Sequence, residues 1–219
     1  MLTPQRSNAF ATLRQYTQAD NRPVERCELC SQEIPSWHRH LLEVSNRQVV
    51  CACDACALRF HDVVAGRYKL VPRDAYALPG FSMTEAQWDG FAVPINLAFF
   101  SYSTPGARML AQYPGAAGVV ESLLPLDTWD TLVAENPSLA DMQPDVEALL
   151  VNRVGAAQEY YRVPIDACYK LAGLIRTRWR GLSGGEEVWA AVKQFFIELK
   201  QKSVFLPAHK EVPHGEIRG

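Results

Sequence analysis

Five of the six cysteines in this chain lie between Cys27 and Cys56. Cys27 and Cys30 form one Cys-x-x-Cys pair, and Cys53 and Cys56 form a second. Two thiolates on one tight turn can bind the same ion, and a hairpin between the turns can bring both pairs together around it. The spacing predicts a tetrahedral four-cysteine site of the zinc-ribbon or rubredoxin type. We expect structural zinc there, with iron as the alternative, because four thiolates suit both metals.

Three further residues could ligate metal beside these cysteines. Cys51 is one thiol more than a tetrahedral set needs, so it either replaces Cys53 as a ligand or is an inert buried residue. His38 and His40 point to one face if the chain is extended there, because strand side chains alternate. They either hydrogen-bond the backbone around the cysteine turns, or they form a second metal site together with Cys51.

No residue pattern identifies a catalytic centre. Cys168 has no histidine near it in sequence that could activate a nucleophile, and we expect a buried helix cysteine. An enzyme would have to use His38, His40 and Cys51, or the region of Asp166 and Cys168. This hypothesis requires an open metal position or a cleft that joins the two groups.

The elements that position these residues are predicted from local patterns. Two short β-rich runs at 41–44 and 48–50 flank a polar turn and predict a hairpin between the two cysteine pairs. Capping and periodicity signals predict helices, and short apolar runs predict strands. The predicted helices cover 125–135, 164–178 and 186–200, the further strands cover 68–72, 94–100 and 108–113, and 145–153 fits either type.

These elements indicate an α+β protein, with a small zinc-ribbon or rubredoxin-like module packed on a mixed α+β domain. We expect an N-terminal arm or helix at 1–22, the metal-binding module at 23–78, the α+β domain at 79–202 and a C-terminal tail at 203–219. Pro79 and Gly80 mark the turn at the boundary between the module and the domain.

Composition limits the classes of function. The chain is 48% hydrophobic and 21% charged, as expected of a folded protein. With 22 basic and 24 acidic residues its net charge is -2, which argues against nucleic-acid binding and favours a protein partner. The sequence has no apolar run of membrane-spanning length and no secretory signal pattern, so we expect a cytoplasmic protein without a membrane span. Thiols stay reduced in that compartment, which favours metal ligation over disulfides.

Several motifs, in order, resemble a known but uncharacterised bacterial family, domain of unknown function 5947. They are CELC at 27–30, HRHLLE at 38–43, CACDACAL at 51–58, DVEALLVNR at 145–153, PIDACY at 164–169 and WRGLSGG at 179–185, followed by Val188 and Trp189. The resemblance covers about residues 25–202. That family tends to be encoded beside actinobacterial-type, high-affinity nickel–iron hydrogenases. The resemblance therefore implies an accessory role in assembly, metal handling or electron transfer, with a hydrogenase subunit or maturation factor as partner, and it implies no established activity.

Overall fold

A computed structural model describes residues 24–61, 66–123, 126–181 and 183–206. The expected N-terminal arm at 1–22 and most of the expected tail lie outside these residues. The described chain contains two β-sheets and five α-helices, which confirms a mixed α+β protein.

The smaller sheet carries the predicted hairpin. Its strands are β1 (Arg39–Glu43), β2 (Gln48–Ala52) and β3 (Tyr68–Leu70), in the order β2-β1-β3, and all neighbours are antiparallel. The β1–β2 pair places Leu42 opposite Val49 and His40 opposite Cys51. The first helix, α1 (Asp54–Phe60), starts directly after β2, with Cys53 as its N-cap. The hairpin therefore returns the second cysteine pair towards the first, as predicted.

The larger sheet has seven strands in the order β10-β4-β9-β8-β5-β6-β7. They are β4 (Tyr76–Ala77), β5 (Leu97–Ser103), β6 (Arg108–Gly115), β7 (Gly118–Leu123), β8 (Glu147–Asn152), β9 (Glu159–Pro164) and β10 (Val204–Phe205). Only the β10–β4 pair is parallel. The ambiguous segment 145–153 forms the central strand β8, in which all six residues are buried.

Helices cover both faces of the larger sheet. They are α2 (Glu85–Gly90), α3 (Leu126–Glu135), α4 (Ile165–Arg178) and α5 (Glu186–Lys202), and a short 3-10 helix (Pro137–Leu139) follows α3. Leu150 and Tyr161 pack with α4 and α5 on one face, whereas Leu149 and Phe100 pack with α2 and α3 on the other. The helices predicted at 125–135, 164–178 and 186–200 are confirmed, the last of them two residues longer.

The small sheet is docked on the α4–α5 face of the molecule. Leu42 of β1 and Val71 after β3 are buried in the same apolar cluster as residues of α4 and α5. Lys69 of β3 donates to Asp145 at 2.6 Å, and the same carboxylate accepts the backbone N–H of Thr104 at 2.7 Å. These contacts hold the cysteine-bearing hairpin against the larger sheet.

Two details of the chain differ from the expected organisation. Tyr76 and Ala77 fall in the segment assigned to the metal module, yet as β4 they pair with β9 of the larger sheet. The expected tail begins with a buried Ser203 and with β10, which pairs with β4. Strand β10 has two residues, which is too few to show the alternation by which a strand is predicted from sequence.

Among the described residues, no helix has the length and apolar character needed to cross a membrane.

Candidate metal centre

The four cysteines of the two Cys-x-x-Cys pairs lie together at one end of the small sheet. The Sγ atoms of Cys27, Cys30, Cys53 and Cys56 are all within 4.8 Å of one another, and the Cys30 and Cys53 sulfurs are 3.7 Å apart. In a tetrahedron with Zn–S bonds of ~2.3 Å, two sulfurs lie about 3.8 Å apart. The geometry and the all-thiol donor set therefore fit a single tetrahedral metal ion.

The first cysteine pair lies on a tight turn closed by backbone hydrogen bonds. Cys27 N donates to Gln32 O at 2.8 Å, and Ser31 N donates to Cys27 O at 2.8 Å. Ser31 has a φ of +63°, a left-handed conformation that lets the chain reverse within so few residues. Glu28 N also donates to Cys51 O at 2.9 Å, which ties this turn to β2.

The second pair lies at the junction between β2 and α1. Cys53 is the N-cap of the helix, and its Sγ accepts the backbone N–H of Cys56 at 3.4 Å. Its side chain therefore points back towards the first turn of the helix, where Cys56 is buried. Cys27 and Cys56 are buried, Cys53 is half-buried and only Cys30 is exposed, so the cluster is a closed set with one edge at the surface.

The thiols of this cluster differ in acidity. Burial alone would raise the pKa of Cys27, but hydrogen bonds from the backbone at Cys53, Leu29 and Cys30 together outweigh it and lower the pKa to about 6. Burial and the neighbouring thiols raise the pKa of Cys56. The backbone hydrogen bonds thus favour the thiolate form of Cys27, whereas the surroundings of Cys56 favour its neutral thiol, whose proton a bound metal ion would displace.

A second cluster joins the remaining candidate ligands. One ligand atom from each of His38, His40 and Cys51 lies within 4.8 Å of the others. Cys51 lies with the histidines, and the four-thiol cluster is complete without it. The two imidazole rings are perpendicular, with centroids 4.8 Å apart and their Nε2 atoms 3.1 Å apart.

Each imidazole has an oxygen partner on its other nitrogen. The Nδ1 atom of His40 is 2.6 Å from Asp166 Oδ2, at the start of α4. The Nδ1 atom of His38 is 2.9 Å from Pro35 O and 3.2 Å from Glu25 Oε2. The expected backbone contact of the histidines is thus present for His38, and a carboxylate 126 residues away holds His40.

Both histidines open onto a cavity of about 580 Å³ between the small sheet and α4. Asp166, Lys170 and Arg73 also line it. The side chain of Arg73 stacks on Trp37, with its guanidinium carbon 3.6 Å from the ring centroid. The cavity therefore combines imidazole, carboxylate and cationic groups at one opening.

Cys168 is not part of either cluster. It is fully buried in α4 against the large-sheet core, as expected, and burial raises its pKa well above the usual range. The contact of His40 with Asp166 has no local sequence signal, because the two residues come from separate elements. From the sequence, Asp166 is a candidate only under the enzyme hypothesis.

Comparison with known proteins supports the resemblance seen in the motifs. A family model described as a family of unknown function, DUF5947, matches residues 26–203. No curated protein and no solved structure matches the chain. The match spans the small sheet, all strands of the larger sheet except β10, and both candidate clusters, and the chain belongs to the family of unknown function DUF5947.

Proposed function

We propose that this protein is a metal-binding accessory protein in which Cys27, Cys30, Cys53 and Cys56 hold a structural zinc ion. The observation that carries the proposal is the convergence of four sulfurs within 4.8 Å from two tight turns. Four protein ligands complete a tetrahedron and leave no position for substrate, which is the pattern of a structural zinc site.

The packing of the small sheet explains why it would need a metal. Among the described residues, its own apolar cluster contains six buried residues, and two of these are the ligand thiols Cys27 and Cys56. So small a core stabilises a fold weakly, and small modules of this kind commonly depend on a metal. The binding free energy of zinc would then be part of the folding free energy of the module.

The partner that we propose is a protein, namely a nickel–iron hydrogenase subunit or a maturation factor. The family resemblance supports this choice, and so does the surface of the metal-bearing part. Trp37 and Leu58 are large apolar side chains with 69% and 63% of their surface exposed. Exposed aromatic and aliphatic groups on a rigid module are typical anchors of protein interfaces.

Metal analysis and absorption spectroscopy of the natively purified protein test the metal assignment. We expect colourless protein with zinc bound by sulfur alone at the four-cysteine site. Colour that bleaches on reduction would replace this proposal with the rubredoxin-like alternative, in which the same thiolates hold iron and transfer single electrons. Protein that keeps full stability without any metal would refute a structural role for the metal.

The partner assignment needs a separate experiment. Wild-type protein and the double variant Cys53→Ser/Cys56→Ser would be compared for binding to purified hydrogenase subunits and maturation factors, with Cys168→Ala as the control that removes a thiol outside the cluster. We expect wild type and Cys168→Ala to bind and the double variant to fail. Equal binding by all three proteins would refute a metal-supported docking surface, and binding by none would refute the proposed partner.

A metal-dependent enzyme is the second candidate function. It is favoured by one observation, the cavity in which His38 and His40 meet Asp166. An enzyme of this kind needs a metal ion with an open coordination position there. The candidate therefore depends on whether the His38–His40–Cys51 cluster binds metal.

A further inference from the structure

The hydrogen-bond partners of the ring nitrogens in the His38–His40–Cys51 cluster favour a bound cation. Carboxylate and carbonyl oxygens accept hydrogen bonds and do not donate them. The Nδ1 atoms of His40 and His38 face such oxygens, on Asp166 and Pro35, so both Nδ1 atoms carry the proton. The lone pairs of the two Nε2 atoms then point towards each other across 3.1 Å.

Two lone pairs at this distance repel unless a positive charge lies between them. An ion bound at ~2.1 Å from both nitrogens with tetrahedral angles would place them about 3.4 Å apart. The observed separation therefore needs only a few tenths of an ångström of adjustment. A shared proton could also relieve the repulsion, and measurement of the metal stoichiometry separates a bound metal ion from a shared proton.

Cys51 supplies the third donor. It lies directly opposite His40 in the β1–β2 ladder, and its N–H and C=O groups point away from β1, to Glu28. The pair is therefore of the non-hydrogen-bonded kind, in which the side chains of opposed residues lie closest. Rigid strands thus hold both donors, and the four-cysteine site lies just beyond Cys51 along the chain.

The surroundings favour a metal ion over an empty cluster. Metal-ligating histidines commonly donate their other ring nitrogen to a carboxylate or a carbonyl, and here one histidine has each kind of partner. The carboxylates of Glu25 and Glu28 lie beside the cluster and contribute negative charge. The cavity of about 580 Å³ reaches both imidazoles and provides an entry path.

We propose that His38, His40 and Cys51 form a second metal site, which binds one late first-row divalent ion such as Co²⁺ or Zn²⁺ and keeps a coordination position open. Two imidazoles and one thiolate suit this class of ion. Three protein ligands leave the fourth position to water or to a small ligand, in contrast to the closed four-cysteine site. Asp166 acts as a positioning residue, because it orients His40 without contacting the ion.

Metal stoichiometry and X-ray absorption test the second site. Full-length protein, reduced and metal-free, would be reconstituted with Zn²⁺ alone, separated from unbound metal and analysed. We expect two zinc ions per chain, with an absorption spectrum that contains both sulfur and imidazole scattering. The double variant His38→Ala/His40→Ala should bind one ion surrounded by sulfur only.

Two further variants keep the result interpretable if that double variant folds poorly. Cys51→Ser removes the thiolate with little change in volume, and it should weaken zinc binding at the second site at least tenfold while the first site stays full. His61→Ala is the matched control, because His61 follows α1 and its ring bonds to backbone carbonyls of that helix. It should retain two ions.

The possible outcomes separate this proposal from the proposed function. One zinc per wild-type chain, bound by sulfur only, would refute the second site and leave the structural zinc site intact. Two ions without imidazole scattering would also refute the second site. Wild type with one ion that has imidazole ligands would refute the four-cysteine site instead.

Discussion

The hydrogen bond between Asp166 and His40 offers a direct test of the proposed second metal site. Replacement of Asp166 by Asn keeps an oxygen that can accept from Nδ1 but removes the negative charge, whereas Asp166→Ala removes both. The bond is short, at 2.6 Å, and its two side chains are about a quarter exposed, at 29% for His40 and 26% for Asp166. A hydrogen bond to a charged group contributes about 1.5–3 kcal/mol, and the exposure places this one near the lower end.

The expected loss of affinity follows from these values. A loss of about 1.5 kcal/mol corresponds to roughly tenfold weaker metal binding for Asp166→Asn. Complete removal of the partner in Asp166→Ala should approach the upper end of the 10- to 100-fold range known for residues that support a metal-bound histidine, or about 2.7 kcal/mol. The four-cysteine site makes no contact with Asp166 and should be unaffected.

The assay is a titration of protein that already holds one equivalent of Zn²⁺. Co²⁺ would be added against a chromophoric chelator, and its ligand-field absorption would report binding at the second site. Asp54→Asn is the control, because Asp54 is an exposed carboxylate at the start of α1 that pairs with Arg39 instead. Equal Co²⁺ affinity in wild type, Asp166→Asn and Asp166→Ala would show that Asp166 does not orient a metal ligand.

Three other perturbations have defined expected results. A chelator that removes the proposed structural zinc should make the small sheet sensitive to protease and lower the free energy of unfolding, and added Zn²⁺ should reverse both effects; an unchanged thermal transition would contradict this. Glu147→Ala should lower the free energy of unfolding by about 3–5 kcal/mol in urea denaturation, because it removes the carboxylate that contacts the Arg162 guanidinium through both oxygens. The exposed control Glu187→Ala should have little effect. Cys168→Ala should cost about 1–2 kcal/mol by leaving a small cavity and should not change the metal content measured by elemental analysis.

Local patterns in the sequence predicted the elements that depend on local chemistry. The two Cys-x-x-Cys pairs and the polar turn between the β-rich runs were sufficient to place the hairpin and the convergence of the four sulfurs. The helix starting at Ile165 follows a proline, and the helix at Glu186 has a clear apolar stripe. In each case a few neighbouring residues determine the conformation.

Other features depend on contacts that no local pattern records. The strand β8 has helices on both faces, so all of its residues are buried and the alternation that identifies a strand is absent. His40 and Asp166 meet only because β1 docks on α4. From the sequence, the two histidines could either hydrogen-bond the backbone or form a second metal site. The sequence could not decide between these, because the distance between the two ring nitrogens depends on the fold.

The position of Cys51 and Cys53 on either side of Ala52 has a consequence for the order in which ions would be bound. A slip of the hairpin by one residue would put Val50 or Ala52 opposite His40 and turn Cys51 to the other face of the sheet. An ion bound by the thiolates of Cys27 and Cys53 would prevent that slip. Glu28, next to Cys27, is hydrogen-bonded to Cys51, and Cys53 is the N-cap of α1. An ion at the four-cysteine site would thus fix the register of the hairpin. The His38–His40–Cys51 site would bind its ion second, with an affinity that depends on the first ion.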